Sequence, residues 1–189
     1  MRRFDPSSVV DAAVFLHAGG VLAYPTEAVF GLGCDPHNRD ALERLFALKE
    51  RPPTQGVLLI AASVEQVLPY IDFSRVPDTV MDQVVDSWPG PNTWIFPRSP
   101  FVPEWVAGAH EGIALRVTSH EPAAALCWAF ERPLVSTSAN PHGHPPARDI
   151  ATLEGYFGER LEGAFDAPLG GLARPSTIRD ALSGAMIRS

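Results

Sequence analysis

The chain has 189 residues, enough for one domain that buries about 70% of its unfolded surface without cross-links. Hydrophobic residues make up 46% and charged residues 20%, which excludes disorder and coiled coil as descriptions of the whole. Lys+Arg 15 against Asp+Glu 22 leaves a net charge of −7, so the chain is not built mainly to coat nucleic acid.

In chain order, Ser7/Ser8 to His17 reads as a helix with a serine cap and a stop at Gly19-Gly20. Val21 to Tyr24 reads as a strand ending at Pro25. A second helix starts at an Asn38 or Asp40 cap, places Leu42, Leu45, Phe46 and Lys49 at helical spacing, and stops at Arg51-Pro52-Pro53. Val57 to Ala62 is a continuous apolar run, as in a buried strand. Val64–Tyr70 and Pro77–Trp88 are amphipathic helices. Thr93–Phe96, Gly112–Val117 and Pro133–Ser136 are strands, with a helix at Pro122–Phe130. Ile150–Phe157 is a helix, and short strands follow near Ala164-Phe165, Thr177-Ile178 and Ala185–Ile187. Strands alternating with helices predict one α/β domain with a mixed sheet, and the C-terminal spacing predicts some antiparallel pairing. Proline, at 19, is about twice its usual share but marks no linker.

Two cysteines, Cys34 and Cys127, make no disulfide framework and suit a reducing compartment. The start, Met1-Arg2-Arg3-Phe4, has no apolar signal core, and no apolar run approaches the roughly 20 residues of a membrane helix. A soluble, cytoplasmic protein with no membrane partner is expected. Of the 15 cationic residues, Lys49 is the only lysine, which singles it out as a position where arginine does not serve.

Several familiar sites are absent from the sequence. No P-loop occurs, and Gly31-Leu32-Gly33 lacks the third glycine of the dinucleotide fingerprint because position 36 is proline. His142-Gly143-His144 sits in a Pro/Gly loop without a clear third ligand, so no metal site is expected. Three polar segments fall at expected strand or helix ends, where α/β folds bind ligands. They are Tyr24-Pro25-Thr26-Glu27-Ala28-Val29-Phe30-Gly31-Leu32-Gly33, Lys49-Glu50-Arg51-Pro52 and Ser136-Thr137-Ser138-Ala139-Asn140. Two cations two residues apart, a hydroxyl cluster and glycine-flanked backbone are what a polyphosphate needs.

Together, Y-P-T-E-A-V-F-G-L-G, K-x-R-P and S-T-S-A-N in this order resemble the YrdC/Sua5 family, the threonylcarbamoyl-AMP synthases. Trp88-Pro89-Gly90-Pro91, Leu115-Arg116-Val117, Pro175-Ser176-Thr177-Ile178-Arg179-Asp180 and Ile187-Arg188 extend the likeness over essentially the whole chain. The length resembles the short bacterial form, one YrdC-like domain over 1–189 without the long form's extra C-terminal domain. The resemblance implies a twisted, largely parallel α/β sheet around an open, positively lined cleft. It implies that L-threonine, bicarbonate or CO2 and ATP give threonylcarbamoyl-adenylate and pyrophosphate. That product feeds the modification of the tRNA adenosine beside the anticodon.

Carried over by position, the resemblance assigns Lys49, Arg51, Ser138 and Asn140 to catalysis at the nucleotide. Gly112, Pro146 and Arg188 join them as ATP contacts, and Thr26, Arg116, Ser136 and Ser176 hold threonine. On charge grounds Arg51 forks two phosphate oxygens, Lys49 is a compact, mobile point charge in a solvated cleft, and Arg116 clamps the amino-acid carboxylate. Mg²⁺ rides mainly on the ATP phosphates. Many members carry His-Pro-Leu soon after K-x-R-P; here stand Gln55-Gly56-Val57, and Gln55 replaces that histidine only as a neutral hydrogen-bonder. Weak or indirect tRNA contact and the proteins of the later threonylcarbamoyl-transfer step are the implied partners. Two alternatives remain at this point: an RNA- or ribosome-binding factor using the same cleft, and transfer from carbamoyl-phosphate as in the related domain of hydrogenase maturation proteins.

Overall fold

A computed structural model describes residues 1–188 and gathers every strand among them into one sheet. In chain order the strands are β1 (Arg2–Phe4), β2 (Leu22–Pro25), β3 (Phe30–Gly33), β4 (Leu58–Ala61), β5 (Asn92–Pro97), β6 (Gly112–Val117), β7 (Leu134–Ser138), β8 (Gly163–Phe165), β9 (Thr177–Asp180) and β10 (Met186–Arg188). Their order across the sheet is β1-β8-β2-β3-β7-β4-β6-β5-β9-β10. The α/β class and the mixed sheet stand as expected. Parallel pairs (β1/β8, β2/β8, β4/β6 and β5/β9) and antiparallel pairs are close to balanced, so the antiparallel share exceeds what the resemblance implied. The expected C-terminal antiparallel pair is β9/β10.

Helices cover both faces. They are α1 (Val9–His17), α2 (Arg39–Lys49), α3 (Val64–Val67), α4 (Asp78–Ser87), α5 (Glu104–Ala107), α6 (Glu121–Ala129) and α7 (Ile150–Phe157). The alternation of β2 decides which helix meets which residue. Leu22 and Tyr24 pack with Leu16 of α1 and Leu126 of α6, whereas Ala23 packs in the cluster of α2, α4 and α7. No helix among the described residues is long and apolar enough to cross a membrane.

Local chemistry accounts for most boundaries. Asn38 caps α2 by accepting from the Ala41 amide at 3.0 Å, and Asp149 caps α7 by accepting from Thr152 at 2.7 Å. The helix α1 ends at His17, and Gly19 just beyond, with a φ of +89°, makes the left-handed stop expected there. Its start differs from expectation: Asp5, not a serine, caps a 3-10 turn over Pro6–Ser8 that leads into the helix. A carboxylate two residues earlier captures the Ser7 amide at 2.9 Å, so the serines serve inside that turn.

The larger surprise is β3. Phe30–Gly33 is a strand hairpinned onto β2, not a phosphate-cradling loop. Its turn closes through the Thr26 amide and hydroxyl, both donating to the Val29 carbonyl at 3.1 and 2.7 Å. Gly33 is there for close packing, because a Cβ would stand 2.3 Å from the Val135 carbonyl oxygen of β7's strand.

Candidate active site

One face of the sheet is only half covered. Along β7, Leu134 lies in the core under α6, while Ser136 and Ser138, two and four residues on, line an open cleft of about 650 Å³. Along β4 the same step separates Ile60, in that core, from Leu58 in the cleft. The register runs Ser136, Leu58, Ala114 and Ile95 as one row across β7, β4, β6 and β5, and all four line the cleft. The three polar segments fall at element ends as expected, after β2, at the end of α2 and at the end of β7, and the cleft they reach also spreads over a sheet face.

At one side of the cleft stands the K-x-R-P segment. The helix α2 ends at Lys49, and Glu50 in the left-handed conformation (φ 53°) turns the chain so that Arg51 enters the cleft wall. Arg51 Nη2 donates to the carbonyls of Gln55 at 3.2 Å and Gly56 at 2.9 Å, and Nη1 donates to Thr137 Oγ1 at 3.3 Å. Burial lowers its affinity for a proton, and its Nε has no hydrogen-bond partner. Ser138, Gly112, Pro146 and Arg188 also line the cleft, with Arg188 exposed on β10.

Lys49 and Asn140 do not line it. Lys49 is 5% exposed, and its Nζ donates to the main-chain carbonyls of Ser138 and of Asn140, the latter at 3.0 Å. Burial first and the Arg51 charge second lower its pKa to about 8. The expectation of a mobile point charge in a solvated cleft is thus corrected. The ammonium is fixed behind the wall, where it ties the end of β7 to the segment after it. Asn140 Nδ2 in turn donates to the carbonyls of Pro141 at 3.0 Å and His144 at 2.9 Å, and its buried Oδ1 has no partner. Lys49 thus shapes the backbone at Ser138 and Asn140, and the Asn140 side chain shapes the loop that follows.

The opposite side is hydroxyl-rich. Thr26, Ser136 and Ser176 are buried cleft residues, and Ser176 Oγ lies 3.1 Å from Thr93 Oγ1. Arg116 lines this side with its side chain 7% exposed, and its Nη2 lies 3.5 Å from Oε2 of Glu27, which is equally buried. Glu27 Oε1 accepts a hydrogen bond from Thr118 at 2.6 Å. Sequence reasoning assigned no role to Glu27, Thr118, Thr93 or Thr137. Glu27 lies inside a quoted motif, and an acid within an otherwise phosphate-friendly segment was the available signal. Gln55 is an exposed cleft residue whose main chain, not its side chain, contacts Arg51. Among the described residues no group of three or more His, Cys, Asp or Glu is placed to hold a metal ion.

Comparison with known proteins places the chain in a family. The Sua5/YciO/YrdC family model, described as telomere recombination, matches residues 14–189. A protein of Halorhodospira halophila named threonylcarbamoyl-AMP synthase is 51% identical over 183 residues, covering 97% of this chain and 95% of its own length. One of the same name from Stutzerimonas stutzeri is 50% identical over 180 residues, covering 95% and 96%. Among solved structures, P. abyssi Sua5 complexed with L-threonine superposes with a TM-score of 0.86 at 29% identity, over 95% of this chain. This chain spans 53% of that longer one. E. coli YciO, at 22% identity and a TM-score of 0.86 over 100% of this chain and 94% of its own, shares the fold. On the family match and on relatives half identical from end to end, the chain belongs to the Sua5/YciO/YrdC family.

Proposed function

We propose that this chain carries out the reaction for which its half-identical relatives are named, the synthesis of threonylcarbamoyl-AMP. L-threonine, bicarbonate or CO2 and ATP are the substrates, and pyrophosphate leaves. The observation that carries this reading is that one cleft holds both halves of the chemistry: Arg51 and Ser138 at one side, Arg116 with Thr26, Ser136 and Ser176 at the other.

The amine of threonine adds to CO2 to give a carbamate, whose oxygen attacks the α-phosphorus of ATP. Two anions must meet, so charge has to be matched before reaction and stabilised further during it. Arg51 is oriented by three neutral oxygens, which leaves its positive charge free for phosphate. Lys49 adds charge from behind Ser138 while holding the backbone that presents that hydroxyl. Arg116 receives the amino-acid carboxylate, and the buried hydroxyls of Thr26, Ser136 and Ser176 suit the threonine side chain. Mg²⁺ enters with ATP as part of the substrate. We assign the product to threonylcarbamoyl transfer onto the tRNA adenosine beside the anticodon, with weak tRNA contact and hand-over to the proteins of that later step. Two free buried thiols, Cys34 and Cys127, fit a cytoplasmic setting.

The test is pyrophosphate release measured with each substrate left out in turn. Release that needs L-threonine and bicarbonate together supports the reading. Equal release without an amino acid overturns it, and salt-sensitive RNA binding without ATP turnover replaces it with the RNA-factor alternative.

A further inference from the structure

Glu27 and Arg116 form a buried pair of opposite charges that is not fully satisfied. Their nearest atoms lie 3.5 Å apart, and neither Glu27 Oε2 nor Arg116 Nε has a hydrogen-bond partner. Orphaned polar atoms on ionised, buried groups are costly and call for an explanation. Here both groups line the same side of the cleft. The Glu27 carboxylate is also held from behind, because Thr118 donates to Oε1 at 2.6 Å.

The backbone below it is equally constrained. The Leu172 amide donates to the Glu27 carbonyl at 2.9 Å and the Gly170 amide to the Thr26 carbonyl at 3.0 Å. A Cβ at Gly170 would come within 2.8 Å of the Glu27 Cα, so this segment lies directly against the turn and leaves room only for glycine. The carboxylate is therefore a fixed feature of the cleft floor.

We propose that Glu27 is the ammonium receptor of the amino-acid subsite, and that Glu27 and Arg116 together recognise a free α-amino acid as a zwitterion. This rests on the functional reading above. A ligand ammonium gives Glu27 Oε2 its missing donor, while the ligand carboxylate takes the free edge of Arg116. A phosphate or a simple carboxylate satisfies only the arginine and is repelled by Glu27. The pair thus selects against polyphosphate at this end of the cleft, and against acids that lack an α-amine.

The experiment compares two ligands on two proteins by chemical-shift titration, which reads millimolar affinities. L-threonine carries the ammonium; 3-hydroxybutanoate keeps its carboxylate and hydroxyl and lacks the amine. Glu27→Gln is expected to weaken L-threonine by roughly 10- to 100-fold, the worth of a charge-assisted hydrogen bond, and to leave 3-hydroxybutanoate no weaker, or tighter now that the repelling charge is gone. Equal weakening of both ligands overturns the proposal, because Glu27 then acts only by holding Arg116. Unchanged threonine affinity overturns it as well. Should Glu27→Gln fail to fold, Glu27→Asp, which withdraws the carboxylate by one methylene, is held to the same two criteria. Wild-type protein that binds ATP but no L-threonine defeats the functional reading itself, and is told apart by requiring no variant.

Discussion

The two sides of the cleft hold their cations by opposite means. Arg51 and Lys49 are bound by neutral oxygens: the carbonyls of Gln55, Gly56, Ser138 and Asn140, and the Thr137 hydroxyl. Arg116 instead faces the Glu27 carboxylate. Carbonyl ligands orient a cation without cancelling its charge, so the first side keeps a net positive field suited to a polyphosphate. A carboxylate ligand cancels it, so the second side is close to neutral and suited to a ligand that brings both signs. Charge count alone, at −7 for the chain, does not reveal this division. What matters is which group each cation is paired with.

Lys49→Arg breaks the first side most sharply. The side chain sits in a position 5% exposed, bonded to two carbonyls, and a planar guanidinium has neither the room nor the donor geometry of an ammonium. Threonine-dependent pyrophosphate release is expected to fall by roughly 10- to 1,000-fold. The burial of Lys49 also changes the stability expectation from neutral to a loss of about 1–3 kcal/mol from overpacking, read as several degrees of Tm. Unchanged release and Tm together would remove Lys49 from the catalytic set.

A pH series tests the same side without a substitution. The Lys49 pKa is depressed to about 8, and its charged form is the one that attracts phosphate. ATP affinity should thus be full below about pH 8 and fall as pH rises through it, by at most about tenfold per unit for one proton. Calorimetry in buffers of different ionisation enthalpy should show proton uptake on ATP binding near pH 8. A flat profile would mean that Lys49 does not sense the nucleotide.

On the second side, L-serine should be a poorer substrate than L-threonine by roughly tenfold in kcat/KM, the worth of one methyl contact among Thr26, Ser136 and Ser176. Equal values would show that this side reads only the amino-acid charges. The smallest expected effect concerns tRNA. The net charge of −7 opposes a phosphate backbone, so binding should be weak and its salt dependence shallow. Tight binding that persists in high salt would give the positive side a second ligand.

Most helices and strands could be read from residues close in the chain. Caps such as Asn38 and Asp149, the Gly19 stop and the apolar runs of β4 and β7 are local signals, and they appear where local chemistry places them. The three polar segments were also visible, and so was the family resemblance they carry. By contrast, β3 escaped because the glycines that alternate with Phe30 and Leu32 are poor strand formers and read as a loop. Gly33 answers to Tyr24 and Val135, which come near only in the assembled sheet. The burial of Lys49 behind Ser138 and the pairing of Glu27 with Arg116 escaped for the same reason.

By itself, then, the sequence determined most of the elements, the chemistry carried in each motif and the family the motifs resemble, because these depend on residues a few positions apart. Tertiary structure alone decided that the site spreads across a sheet face, that Lys49 lies behind the cleft wall, and that one arginine keeps its charge while the other is neutralised. Those outcomes depend on strand register, which sets Gly31 opposite Ser138 and Ile60 opposite Arg116, and on the turn that carries Glu27 to Arg116. An electrostatic partner is chosen by distance in space, and no pattern along the chain encodes that distance.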